Sequence, residues 1–419
     1  MSEIMEIVRS FRGVCPSCGR EHRTAIEDVR IGSGVTHCVG DILKENGFTK
    51  KLLLVADRNT LRAADGIMES LSDFDVETHI YDDIRVATME HVEELEALLC
   101  DREISVLSVG TGSVNDPCRL ASARQNKKLC IFATAPSMDG FASYSSPIVA
   151  GGFKSSYAAK SPEVIIGDTK ILAAAPTVLK SSGFGDMVAK YPALIDWQIA
   201  SLLTDEMYCE RIAALTRAAI DRLMEMADRV TVDDEETAGA IFASLLLTGI
   251  GMSFAQNSRP ASGAEHIIAH LMECVELRDG IIPNFHGEDI GVCTLYTLQF
   301  YGQLAERETI EPHCEEVDWE DIYRFYGSMA DDVRAINADR PQIAQVTPDA
   351  IKAHWQQIRA IIRSVPSYAQ CAQAMRRAGC KMTLEEIGKS QKLFDDCVKY
   401  SPYMRNRLTI LRLRGMLGV

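Results

Sequence analysis

The feature that most restricts the fold of this chain is a change of hydrophobic period partway along it. Up to about residue 170, short apolar runs stand apart from one another: Lys51–Asp57, Val76–Tyr81, Ile104–Gly110, Leu129–Ala135 and Val164–Asp168. They are nearly continuous rather than alternating, which suits strands covered on both faces. Between Asp57 and Val76, and again between Val86 and Asp101, apolar residues return at the helical spacing. Strand, helix and strand in that order predict a parallel sheet wrapped by helices, because parallel neighbours need a long crossover and a helix supplies it. From about Ala173 the strand signals stop. Helical patterns then run over Met207–Val230, Thr237–Gln256, Ala264–Leu277, Trp319–Ala330, Asp349–Ile362 and Leu384–Tyr400. The expectation is an α/β domain over residues 1–173 and an all-helical domain over 174–419, each long enough for its own core.

Charge and cysteine usage narrow the class of function. Acidic residues outnumber basic ones 59 to 44, a net charge of −15, and no run of Lys and Arg breaks that field. Nucleic acid and anionic membranes are therefore poor partners. Thirteen cysteines, an odd number scattered through apolar segments, fit buried thiols in a reducing compartment better than a disulfide framework. The first ten residues lack both a basic flank and an apolar stretch with a cleavage site, so a cytoplasmic protein is expected. Thr237–Ser258 carries no charge and has about the length of a membrane span. Its richness in Ala, Gly, Ser and Thr, with no second span and no flanking charge asymmetry, predicts a central helix of the helical domain instead.

Three short motifs suit a divalent metal. Asp186 stands in Ser-Gly-Phe-Gly-Asp, His266 in Ser-Gly-Ala-Glu-His, and His286 opens His-Gly-Glu-Asp. One carboxylate and two imidazoles leave a coordination position open for a substrate oxygen, whereas a structural zinc site is closed by four protein ligands. The glycines before Asp186 predict that its carboxylate projects from the first turn of a buried helix. His266 and His270 are four apart and share a helix face, so one of them is free to hold substrate.

Upstream, Gly110-Thr-Gly112-Ser113 follows a predicted strand and opens a helix, where bare backbone and a helix N-terminus suit a pyrophosphate. The spacing is not GxGxxG, so no ordinary Rossmann fingerprint is present. Asp57 ends a neighbouring strand, fit either for ribose hydroxyls or for capping the next helix. Thr134-Ala-Pro-Ser137-Met-Asp139 sets two hydroxyls and a carboxylate at the same sheet edge. Arg259, Lys154, Lys160 and Lys190 are candidate anion clamps, each by itself more often a surface or capping cation. Cys15-Pro-Ser-Cys18, with His22 four residues on, looks like half a zinc knuckle. With only Cys38 as a weak fourth donor, a local turn with free thiols is the better reading.

Taken in order, Gly-Thr-Gly-Ser-Val-Asn-Asp, Thr-Ala-Pro-Ser-Met-Asp-Gly, Gly-Phe-Gly-Asp, Ser-Gly-Ala-Glu-His and His-Gly-Glu resemble the glycerol-1-phosphate dehydrogenases. Those enzymes belong to the iron-containing alcohol dehydrogenase and dehydroquinate synthase superfamily. The resemblance runs from about residue 29 to 305, and the chain's length and cysteine-bearing N-terminus look more like the bacterial, arabinose-cluster-associated branch than the shorter archaeal one. It implies a dehydroquinate synthase-like fold, a homodimer, and metal-dependent reduction of dihydroxyacetone phosphate to sn-glycerol 1-phosphate with NADH or NADPH, feeding glycerophospholipid synthesis. It further implies that Asp57, Gly112, Ser113, Val114, Asn115, Asp116, Thr134, Ala135, Pro136, Ser137 and Ser143 contact the dinucleotide. Asp139 and His270 would hold substrate, and Asp186, His266 and His286 would bind nickel or zinc beside it. His270 would orient a hydroxyl or relay a proton, and Arg259 is assigned to the substrate phosphate. A dehydrogenase for glycerol or another small polyol is the alternative, followed by a non-catalytic dinucleotide-binding protein.

Overall fold

The computed structural model describes residues 3–339 and 343–418 and contains eight strands. In chain order they are β1 (Asp28–Gly32), β2 (Lys51–Asp57), β3 (Asp75–Tyr81), β4 (Ser105–Gly110), β5 (Leu129–Ala133), β6 (Ser145–Ala150), β7 (Phe153–Ala158) and β8 (Val164–Asp168). Six form one sheet in the order β1-β8-β5-β4-β2-β3, parallel at every pairing. β6 and β7 make a separate antiparallel hairpin that turns at Gly151 and Gly152, whose φ values of 57° and 81° suit glycine.

The five apolar runs are β2, β3, β4, β5 and β8. β1 and the hairpin are additions, and their sequences explain why. β1 is an edge strand, Asp-Val-Arg-Ile-Gly, with two bulky apolar residues, and β7 is Phe-Lys-Ser-Ser-Tyr-Ala, mostly small or polar. Successive strand residues point to opposite sides of the sheet. Leu52, Leu54, Leu107, Val109, Phe132 and Ile166 therefore pack on one face, and Leu53, Val55, Val106, Ile131 and Ile165 on the other. The second set runs on without a break into Trp197, Phe242 and Leu246, so the helical region roofs that face of the sheet and shares its core.

Beyond β8 no strand occurs among the described residues. Helix Glu235–Ala255 is the one described helix long and apolar enough to cross a membrane, and 83% of its apolar window is buried inside the protein. It lies against the turn Asp139–Ala142, and at Gly249 a Cβ would stand only 2.7 Å from the Asp139 carbonyl oxygen. That glycine lets the central helix press on the loop that carries Asp139. Several predicted helices are shorter than their pattern. The Trp319 helix stops at Tyr326 because Gly327 takes a φ of 56°, and the Leu384–Tyr400 pattern becomes Gln391–Tyr400, capped by the Ser390 hydroxyl accepting the Leu393 N–H at 3.1 Å.

Candidate active site and metal centre

The C-terminal ends of β2, β4 and β5 open on a cleft of about 810 Å³ whose opposite wall comes from the helical region. This is the edge at which open α/β sheets bind ligands. Asp57, Gly112, Ser113, Asp116, Thr134, Ala135, Ser137 and Ser143 line it. Thr111 caps the helix Gly112–Arg124, so the first N–H groups of that helix face the cleft. Asp57 does both jobs considered for it: it borders the cleft, and its Oδ1 accepts the Thr60 N–H at 2.8 Å in a capping box. Burial pushes the Asp116 carboxyl up despite its ion pair with Arg119.

Three residues assigned to the dinucleotide do not line the cleft. Val114 packs in the core beneath the sheet, and Asn115 is fully buried, accepting the Ser108 hydroxyl at 2.5 Å. The Pro136 carbonyl faces Gly183 of a neighbouring helix. A helix presents one face of its side chains to a groove, so Gly112, Ser113 and Asp116 line this one while the Val114 and Asn115 side chains turn inward.

Asp186 sits in the last turn of the helix Thr177–Val188, not in the first turn as its glycines suggested. Those glycines lie inside the helix and serve close packing. A Cβ on Gly183 would stand 1.9 Å from the Pro136 carbonyl oxygen, and one on Gly287 would stand 1.9 Å from that of Ser182. The two close approaches hold the Thr134–Ser137 turn, the Asp186 helix and the His286 helix against one another.

The three donors converge. His266 Nε2 lies 3.4 Å from Asp186 Oδ1, while its Nδ1 lies 2.8 Å from Oε1 of the fully buried Glu265. A carboxylate taking the Nδ1 proton orients the ring and leaves Nε2 free for a metal. The His286 ring centroid is 5.5 Å from that of His266 and 5.4 Å from that of His270, on which it stacks. One donor atom each from Asp186, His266 and His286 falls within 4.8 Å of the others. His270, Glu273 and His286 form a second, overlapping group on the cleft side. The donor chemistry of the first group fits a divalent cation: an ionised carboxylate, two imidazole nitrogens and no thiolate.

Lysines set the charge balance. Lys190 Nζ reaches Asp186 Oδ1 at 2.5 Å and Asp139 Oδ2 at 2.6 Å, and Asp186 Oδ2 accepts the Asp139 N–H at 2.9 Å. Burial raises the Asp186 carboxyl, but the Lys190 ammonium and the hydrogen bond from His266 outweigh it and hold it well below the usual range. Burial and then the charge of Lys154 push His270 well below its ordinary value, so its imidazole is neutral at pH 7.

Comparison with known proteins decides the family. Residues 30–176 match the iron-containing alcohol dehydrogenase family. Over 277 residues the chain is 34% identical to a glycerol-1-phosphate dehydrogenase (NAD(P)+) of Methanosarcina mazei, an alignment that takes in 66% of this chain and 76% of that one. The chain belongs to the glycerol-1-phosphate dehydrogenase family. A member from Halalkalibacterium halodurans is 26% identical over 419 residues, 98% of both chains. The fold is also that of an NADH-dependent butanol dehydrogenase A from Thermotoga maritima, with a TM-score of 0.62 at 15% identity over 97% of this chain and 96% of that one.

Within this family fold the four candidate cations take different places. Arg259 is 1% exposed and does not line the cleft. Its Nε and Nη2 donate to Glu206 at 2.5 Å each and its Nη1 to the Leu408 carbonyl at 2.7 Å, because a buried guanidinium needs its charge and donors matched. Lys160 pairs with Glu163 at 2.6 Å outside the cleft, and Lys154 lines the cleft while paired to Glu273 at 2.6 Å. Arg85, Arg405 and Arg407, which sequence reasoning missed, line the cleft and form no ion pair among the described residues; Arg85 lies over the Phe285 ring at 4.7 Å, while the other two stand together. Arg405 donates to the Lys154 carbonyl at 3.0 Å; Arg407 donates to the Ser262 carbonyl at 3.1 Å and to the Ser258 hydroxyl at 3.0 Å. Burial, then the neighbouring charge of Arg259, push Arg407 down to about 10. The stretch Arg405-Asn-Arg407 follows the last long helix and looks like any surface pair of arginines, so no sequence signal marks it.

Proposed function

We propose that this protein reduces dihydroxyacetone phosphate to sn-glycerol 1-phosphate with NADH or NADPH, in a reversible reaction that feeds glycerophospholipid synthesis. The observation that carries the reading is one cleft, in a chain of this family, that His266 and His286 line in front of the buried Asp186 carboxylate and that also receives Arg405 and Arg407, which form no ion pair among the described residues. Asp186, His266 and His286 would hold the metal, nickel or zinc, and the sheet edge from Asp57 to Ser143 would hold the dinucleotide. When bound, the metal supplies Lewis acidity at the substrate carbonyl and the nicotinamide supplies the hydride.

The chain's own residues do the rest. Glu265 fixes the His266 ring, and the Lys190 ammonium pairs with both Asp139 and Asp186 and holds the Asp186 carboxyl ionised in a buried setting. Arg405 and Arg407 offer planar, paired donors of the kind that suit a phosphate. His270, neutral and lining the cleft, offers a ring nitrogen to a substrate hydroxyl. Thirteen free cysteines support a reducing, cytoplasmic setting, and the family resemblance supports a homodimer.

The test is consumption of NADH by metal-reconstituted protein, with dihydroxyacetone phosphate and dihydroxyacetone compared side by side. The product is then offered to a dehydrogenase specific for sn-glycerol 3-phosphate. Strong turnover of the phosphate ester, to a product that the second enzyme ignores, is the expected outcome. Turnover of dihydroxyacetone alone would assign the protein to the polyol dehydrogenases instead.

A further inference from the structure

Outside the cleft, four side chains from distant parts of the chain converge. Cys15 and Cys18 flank a tight turn, His22 follows it, and Cys209 caps the helix Glu210–Glu225. The Sγ atoms of Cys15 and Cys209 are 3.8 Å apart, and His22 Nε2 lies 3.4 Å from Cys18 Sγ and 3.5 Å from Cys209 Sγ. A disulfide would need about 2.0 Å between sulfurs. In a tetrahedral zinc shell, with Zn–S of about 2.3 Å and Zn–N of about 2.0–2.1 Å, the sulfur–sulfur edge is about 3.8 Å and the sulfur–nitrogen edge about 3.5 Å. The observed separations are those of such a shell. We propose that Cys15, Cys18, His22 and Cys209 bind a zinc ion in a closed Cys3His site.

The surroundings are built for it. His22 Nδ1 lies 2.9 Å from the Phe254 carbonyl, and donating its proton there leaves the Nε2 lone pair facing the sulfurs. The Cys15 N–H donates to the Arg20 carbonyl at 2.8 Å, the Gly19 N–H donates back to the Cys15 carbonyl at 2.8 Å, and Gly19 takes the left-handed φ of 71° that closes the turn. Cys15, His22 and Cys209 are buried, and Cys18 is partly exposed and gives the ion a way in.

This site is separate from the catalytic one, since none of its four ligands lines the cleft and four ligands leave no position for a substrate. Its location indicates a clip. The N-terminal segment lies on the helical region, with Phe11 stacked on Phe254 at 4.7 Å and Arg211 over the Phe11 ring at 4.3 Å. Zinc would lock that contact, making its binding free energy part of folding free energy. Sequence spacing left the set one donor short. Cys38, the weak fourth considered there, is exposed and outside the cluster, and the true fourth comes 187 residues after His22.

The experiment uses the full chain with cobalt(II) replacing its metals. The Asp186, His266 and His286 group holds no sulfur, so a thiolate-to-cobalt charge-transfer band reports this site alone. The expected result is that band, together with protection of Cys15, Cys18 and Cys209 from alkylation until a mercurial releases the metal. Cys18→Ser, at the least buried ligand, should weaken zinc retention against a competing chelator by more than about tenfold, the floor set by losing even an orienting partner. A cobalt spectrum without sulfur character overturns the proposal. So does alkylation of all three thiols in untreated protein, or a Cys15–Cys209 disulfide in a non-reducing peptide map. The first two readouts use the unmutated chain, so a variant that fails to fold does not blunt the test.

Discussion

Replacing Arg407 with methionine separates a phosphate-binding arginine from a structural one. Methionine keeps an aliphatic stem along the cleft wall while removing the charge and the donors to Ser258 and Ser262. A hydrogen bond to a charged group contributes about 1.5–3 kcal/mol, and truncating one partner of a desolvated charge pair costs about 2–5 kcal/mol. Arg407 is only partly buried and Arg405 remains beside the same cavity, so the lower end applies. A loss of about 2 kcal/mol is roughly 30-fold in kcat/KM. The assay is steady-state NADH oxidation with dihydroxyacetone phosphate and with dihydroxyacetone. The expected result is a loss of about 30-fold for the phosphate ester and less than about twofold for the unphosphorylated ketone. Equal losses for both substrates would refute the reasoning and return Arg407 to a packing role. Arg259→Met is the internal control. Its partner Glu206 would be left buried and unpaired, a cost of about 3–5 kcal/mol in stability, with no preference between the two substrates.

Three further predictions follow from other parts of the structure. Gly183→Ala puts a methyl group where the Pro136 carbonyl leaves 1.9 Å, so it should lower stability by about 1–3 kcal/mol and weaken NADH binding through the displaced Thr134–Ser137 turn, read by thermal melting and by cofactor fluorescence titration. Asp186→Ala should abolish retention of the catalytic metal while leaving the proposed Cys3His zinc in place, measured as metal content per chain; loss of both ions would mean a general unfolding. Burial raises the Asp168 carboxyl, but the Thr36 hydroxyl at 2.6 Å and the N–H groups of Thr36, Gly34 and Lys170 outweigh it and hold it below its usual value. A carboxyl lowered on folding contributes stability above its unfolded pKa, about 4, and loses it as pH falls through the folded value. Asp168→Asn should therefore lower stability at neutral pH and flatten the acid limb of a pH-dependent melting series; an unchanged acid limb would contradict the assignment.

What could be read from the sequence was what neighbouring residues encode together. β2, β4, β5 and β8 were legible because strands buried on both faces are continuous apolar runs, and the helix Glu235–Ala255 because its small residues pack where a membrane span would carry larger ones. β1 and the hairpin were not, since an edge strand and a polar hairpin lack that signature. Asp186 was picked out but put at the wrong end of its helix, because glycines inside a helix read as a loop until the carbonyl of Pro136 is seen against them.

Charge is the harder case, and the two arginines show why. Arg259 and Arg407 are the same side chain, and the side-chain partners of both lie far away in the sequence. Arg259 meets Glu206, 53 positions away, and with its charge matched it serves to hold the Leu408 segment in place. Arg407 finds a carbonyl and a hydroxyl but no carboxylate, so the folded protein keeps a half-buried, unmatched cation facing a cleft. Even partial burial of an unmatched charge is costly unless something else arrives to match it. A phosphate ester is the ligand that would, and the same reasoning removes Arg259 and Lys190, whose partners are already present, from the list of residues that could bind one.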